Sequence, residues 1–129
     1  MKIARYAVDG KVEYGVLEDG RIRKAAGNPF DGLTLLSEYR ELESVRLLSP
    51  SLPGKALCIG LNYRDHAVEF ALPIPTSPVV FIKPSTSVIG PGDLIDYPAL
   101  CTRLDFEAEL VAVIGKKAKN VAAEKAAEY

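Results

Sequence analysis

Histidine occurs once in this 129-residue sequence, as His66, and cysteine twice, as Cys58 and Cys101. The cysteines have no metal-ligand spacing, and each lies among apolar residues. They read as buried free thiols rather than a disulfide framework. There is no basic run and the formal net charge is −1, which argues against nucleic acid and anionic membrane as partners. The longest apolar runs, such as residues 110–114, are far too short to span a bilayer. The start, Met1-Lys2-Ile3-Ala4-Arg5, has no apolar signal core, so the expected compartment is the cytoplasm. No internal repeat is present. What the chain does have is 48% hydrophobic content, enough for a real core and against disorder. Its length suits one domain, or a small domain plus part of another.

The most informative stretch is residues 104–114, Leu-Asp-Phe-Glu-Ala-Glu-Leu-Val-Ala-Val-Ile. It has no proline, glycine only follows it, and it closes on a β-branched run, so it reads as a strand. Alternation would put Asp105, Glu107 and Glu109 on one face, with Leu104, Phe106, Ala108 and Leu110 on the other. Glutamates two apart on a strand have Cα atoms roughly 6.5–7 Å apart. Both can bend to one hard cation, with metal–oxygen distances of about 2.0–2.5 Å. A solvated acidic face is the simpler reading of that alternation. Against it, residues 110–114 are apolar on both faces, the mark of a buried strand, and buried carboxylates need a partner charge or a metal.

Taken in order, residues 2–26 read as an antiparallel meander with turns at Asp9-Gly10 and Glu18-Asp19-Gly20, broken by Gly27-Asn28-Pro29. Ile3, Tyr6 and Val8 are core candidates, and the unit reads as a structural cap. Residues 33–46 predict a short helix, because Leu35, Leu36, Tyr39 and Leu42 fall at helical spacing. Residues 47–54 predict a linker, with a boundary near residue 50. A buried strand over 55–61 then leads into a short helix over 62–70, where His66 and Glu69 share a face. A carboxylate beside an imidazole orients it and raises its basicity. A lone histidine is most often a satisfied polar residue, but a position just past a strand end is where sites gather. Residues 72–98 are proline-rich and contain a short strand at 79–82. The Pro73-Ile74-Pro75 segment reads as a rigid connector or a covering loop. Lys83 is a candidate contact for an anionic substrate. Residues 120–129 predict a helix capped by Asn120.

From residue 55 onward the chain resembles the fumarylacetoacetate hydrolase family. The resemblance rests on four pieces in order over about 60 residues. They are Ile59-Gly60-Leu61-Asn62-Tyr63-Arg64-Asp65-His66-Ala67 with Glu69, then Phe81-Ile82-Lys83-Pro84, then Ile89-Gly90-Pro91-Gly92, then residues 104–110 with Val113-Ile114-Gly115-Lys116. Residues 1–50 resemble the small N-terminal domain of the branch that includes 2-hydroxyhepta-2,4-diene-1,7-dioate isomerase.

The resemblance implies an α+β, mostly β fold. Residues 1–50 would be a small N-terminal antiparallel β domain, and residues 51–129 the N-terminal part of a mixed β-roll. It implies a metal-dependent hydrolase or isomerase of aromatic-compound catabolism, a homodimer acting on 2-oxo or β-diketo acids through a metal-stabilised enolate. Within that class lie isomerisation, decarboxylation and cleavage of acylpyruvate C–C bonds. Glu107 and Glu109 match the family's metal-binding acid pair, with Mg²⁺ the expected ion and Mn²⁺ or Ca²⁺ the alternatives. His66 and Glu69 match its water-activating dyad, carried on a segment that orders over substrate. A typical member is about twice as long, and its later metal-binding aspartate has no counterpart here. The alternative reading is therefore a non-catalytic half that folds or self-associates.

Overall fold

The computed structural model describes residues 1–129. The chain is mostly β and divides into two compact units, Met1–Ser51 with Gly90–Tyr129, and Leu52–Ile89.

The first unit is built on a five-stranded antiparallel sheet of order β4-β3-β2-β1-β5. The strands are β1 (Ile3–Val8), β2 (Lys11–Glu18), β3 (Arg21–Asn28), β4 (Gly32–Glu41) and β5 (Arg46–Leu47). The first two hairpins are dictated locally. Asp9 and Gly10 have φ of 49° and 72°, and Asp19 and Gly20 have 47° and 82°. Two successive residues in the left-handed region give the turn whose twist matches the flanking strands. Tyr6 and Ile22 are fully buried, with Val16 and Ala25 nearly so. Ile3 and Val8, the other expected core residues, stay partly exposed.

Residues 32–41 form β4, not the helix that the leucine spacing suggested. Arg23 pairs with Tyr39 while Ala25 pairs with Leu35, so three residues of β4 lie opposite Lys24 alone. This bulge resets the alternation and turns Leu35 and Leu36 both partly inward, producing a false helical period. The Leu36 carbonyl, displaced from the ladder, accepts from Arg23 Nε at 2.7 Å. Strand β3 also runs two residues beyond Ala26, and the chain reverses over Asn28–Asp31, where Asn28 Oδ1 accepts from the Phe30 N–H at 2.8 Å.

Gly15 shows why β2 needs a missing side chain. A Cβ there would lie 2.6 Å from the Arg23 carbonyl oxygen and collide with a methyl of Ile22. Gly15→Ala is expected to lower unfolding free energy by about 1–3 kcal/mol, read as a lower urea midpoint at unchanged slope.

The Tyr6 hydroxyl donates to Glu13 Oε2 at 3.1 Å, and Glu13 pairs with Lys24 at 2.9 Å. The Lys24 ammonium holds the Glu13 carboxyl below its usual range, and Glu13 raises Lys24 in turn. Burial, aided by Glu13, pushes the Tyr6 phenol up to about 12. Its unfolded value is about 10, so the fold favours the neutral phenol. That contribution is complete below pH 10 and is lost as pH rises through about 12, on the order of 2–3 kcal/mol in all. Between pH 9 and 12, Tm of the native chain is therefore expected to fall more steeply than that of Tyr6→Phe.

The second unit holds a two-stranded antiparallel ladder, β6 (Lys55–Gly60) with β7 (Val79–Pro84), and the helix α1 (Arg64–Glu69). These match the strand–helix–strand order expected over 55–84, but β6 is not the buried strand expected: it alternates exposed and half-buried residues, with Leu57 65% exposed. Three further expectations are corrected. The apolar run 104–114 is not a buried strand: no residue of 88–122 lies in one, and Phe106 and Leu110 are 94% and 91% exposed. A strand exists only where a neighbour completes its ladder, and none of this chain's strands pairs with that run. Residues Ala123–Glu128 form a 3₁₀ turn rather than an α-helix. Asn120 sits at φ 53° and does not cap it. Cys58 and Cys101 are free thiols, half-buried rather than fully buried.

Candidate active site

Strand β6 delivers the chain to the site. At its end Leu61 takes φ 52°, a left-handed conformation costing a residue with a side chain about 1–3 kcal/mol, and one that clusters at functional sites. Asn62 and an extended Tyr63 follow, and α1 begins without a side-chain cap. Six residues are too few for an isolated helix to be stable in water. The buried Ala67 anchors it, and its C-terminus is closed by two crossed bonds. The Ala71 N–H donates to the Val68 carbonyl at 3.0 Å and the Leu72 N–H to the Ala67 carbonyl at 2.9 Å. This is a Schellman closure with Ala71 at φ 53°, where glycine is the usual residue. Alanine in that position hid the stop signal from sequence inspection.

On this helix His66 Nδ1 stands 3.7 Å from Glu69 Oε2. That is an ion-pair separation, longer than a hydrogen bond. Catalytic contacts are often long before substrate binds. The His66 ring also meets Phe70 edge-on, with centroids 4.9 Å apart. The His66 side chain is 30% exposed and that of Glu69 68%, so the dyad is solvent-accessible. The structure thus brings together the two residues that the sequence paired. Lys83 lies on β7 opposite Ala56, with its side chain exposed.

Glu107 and Glu109 are exposed on the 104–114 run. Asp105, expected on the same face, is engaged by Arg103 Nε at 2.8 Å. Upstream, residues 90–93 are held by a cluster that sequence reading missed. Arg46 of β5 pairs with Asp93 at 2.6 Å, and the second oxygen of Asp93 accepts from the Gly90 N–H at 2.8 Å. These contacts hold the Asp93 carboxyl below its usual range. A Cβ at Gly90 would lie 3.1 Å from the Leu48 Cα, a tight contact that would press on the backbone of residues 47–49. The Ile89-Gly90-Pro91-Gly92 motif is therefore a structural fastening.

Hard carboxylate oxygens suit Mg²⁺, Mn²⁺ or Ca²⁺. No three acidic, histidine or cysteine side chains of this chain converge on one point, however. The donor chemistry fits a hard cation, and the donor number falls short of a complete site.

A mostly β protein with an imidazole–carboxylate pair on a short helix after a strand, and an acid-x-acid run downstream, is a limited class. The Fumarylacetoacetate (FAA) hydrolase C-terminal model matches residues 55–129, and the Rv2993c-like N-terminal model matches residues 1–50. The chain belongs to the fumarylacetoacetate hydrolase family. It is 39% identical to Protein Rv2993c of Mycobacterium tuberculosis over 98% of its own length and 47% of that protein's. The crystal structure of Cg1458 with inhibitor superposes with a TM-score of 0.87 at 36% identity, covering 99% of this chain and 51% of that one. The 2-hydroxyhepta-2,4-diene-1,7-dioate isomerase of Mycobacterium marinum matches at TM-score 0.55 and 30% identity, over 69% of this chain and 34% of that one. The chain therefore spans about half the length of relatives that it matches end to end. None of its helices is long and apolar enough to cross a membrane.

Proposed function

We propose that this chain carries the proton-transfer half of an enzyme that isomerises 2-oxo diacids, in the manner named for the Mycobacterium marinum relative. The observation that carries the reading is the His66–Glu69 pair on α1. His66 takes a proton from a substrate carbon and returns it at another, and Glu69 orients the imidazole. Glu107 and Glu109 would hold a divalent cation, most simply Mg²⁺, together with at least one ligand that this chain does not supply. That cation would polarise the oxo group as a Lewis acid. Lys83 offsets substrate charge, and the working assembly is a homodimer in the cytoplasm.

A second reading keeps the same residues and uses His66 to activate water for C–C cleavage of acylpyruvates; the family match supports it equally. The deficit in metal donors supports a third statement, that the 129-residue chain alone is inactive. The test offers the natural gene product a panel of 2-oxo diacids and acylpyruvates, followed by enol absorbance. Turnover of the diacids is the expected result. Cleavage of acylpyruvates alone would select the second reading, and inertness toward both would reject the enzyme.

A further inference from the structure

The unit Leu52–Ile89 bears an open, solvent-facing cavity of about 290 Å³, just below the usual size of ligand sites, with Arg64 exposed at it. Its apolar walls include Ile59, Ile74 and Val79, and its polar lining includes Arg64, Thr76 and Ser77. Arg64 is the only charged residue among those that line it. No acidic side chain of the chain pairs with that guanidinium. The cavity is not the dyad: neither His66 nor Glu69 lines it. Residues two apart on a helix point to different sides, so Arg64 and His66 leave α1 in different directions.

Three features define what would fit. A permanent cation in a planar fork matches a carboxylate bidentately. Thr76 and Ser77 add hydroxyl donors and sit between Pro75 and Pro78, whose rings fix the backbone φ on either side. The donors are thus partly preorganised, which lowers the entropy lost on binding. The aliphatic walls exclude a ligand that is charged all over. Inorganic phosphate, which the guanidinium fork also matches, has no apolar body to lay against these walls.

We propose that this cavity binds the carboxylate end of a small organic acid with an aliphatic body, with Arg64 as its anchor.

The probe is hexanoate, titrated into the 129-residue chain and followed by the backbone amide signals of Leu61 and Ser77. Hexanoate is expected to move both at millimolar concentration. Arg64→Gln should weaken binding about tenfold, with Arg64→Lys intermediate because the ammonium lacks the fork. Ser77→Ala, a smaller lesion, should weaken it less. Hexan-1-ol and inorganic phosphate should leave both signals in place. The proposal is overturned if hexanoate moves neither signal, if Arg64→Gln binds it as well as the native chain, or if the alcohol or phosphate binds equally well. Hexanoate has no oxo group to react, so this readout does not depend on turnover. Hexanoate binding with no turnover by the natural gene product would retain the subsite and reject the isomerase, and turnover by the natural gene product without hexanoate binding would do the reverse.

Discussion

Turnover by the natural gene product is expected to fall by about 10²–10⁴ when His66 is replaced by alanine. The size follows from what a positioned general base contributes. The loss should appear in kcat more than in KM, because the imidazole acts on the proton in flight. Folding is not at issue: the neighbouring Ala67 holds α1 down, and alanine is the best helix former. Glu69→Gln should cost less, since it leaves the base and removes only its orienting charge. The measurement is steady-state kinetics of both variants on the substrate selected by the panel. An unchanged kcat in His66→Ala would remove the dyad from the mechanism.

The second large effect concerns the acidic run. Calorimetric titration of Mg²⁺ or Mn²⁺ into the natural gene product should show affinity reduced by more than about a hundredfold in the double variant Glu107→Ala/Glu109→Ala. Loss of a group merely supporting a ligand costs 10–100-fold, and here two proposed ligands go together. The informative control is Asp105→Ala. By sequence alternation it belongs to the same acidic face, but Arg103 already engages it at 2.8 Å, so its removal should leave the affinity essentially unchanged. Equal losses from Asp105 and from the glutamate pair would mean that only general negative charge attracts the ion. Native affinity in the double variant would place the metal elsewhere.

How much of this was legible beforehand depended on how local the cause was. The first two hairpins were, because Asp-Gly pairs specify their own turn geometry without help from distant residues. The order of β6, α1 and β7 was also legible, because apolar runs and flanking prolines mark it. Strand β4 was not: its bulge opposite Lys24 imitates a helical period, and only the register with β3 reveals it. The run at 104–114 has the composition of a strand, but composition cannot supply a neighbour. At the site, the His66–Glu69 spacing gave the pair directly. The Arg103–Asp105 contact, the Arg46–Asp93 fastening and the Arg64 cavity join residues that no spacing rule connects, so they became visible only in three dimensions.

Both outer edges of the β6–β7 ladder are open, and Leu57 and Ile82 are more than three-fifths exposed. Each open edge is a row of backbone donors and acceptors ready for any passing strand. A strand that adds to either edge would extend the ladder and cover this apolar surface.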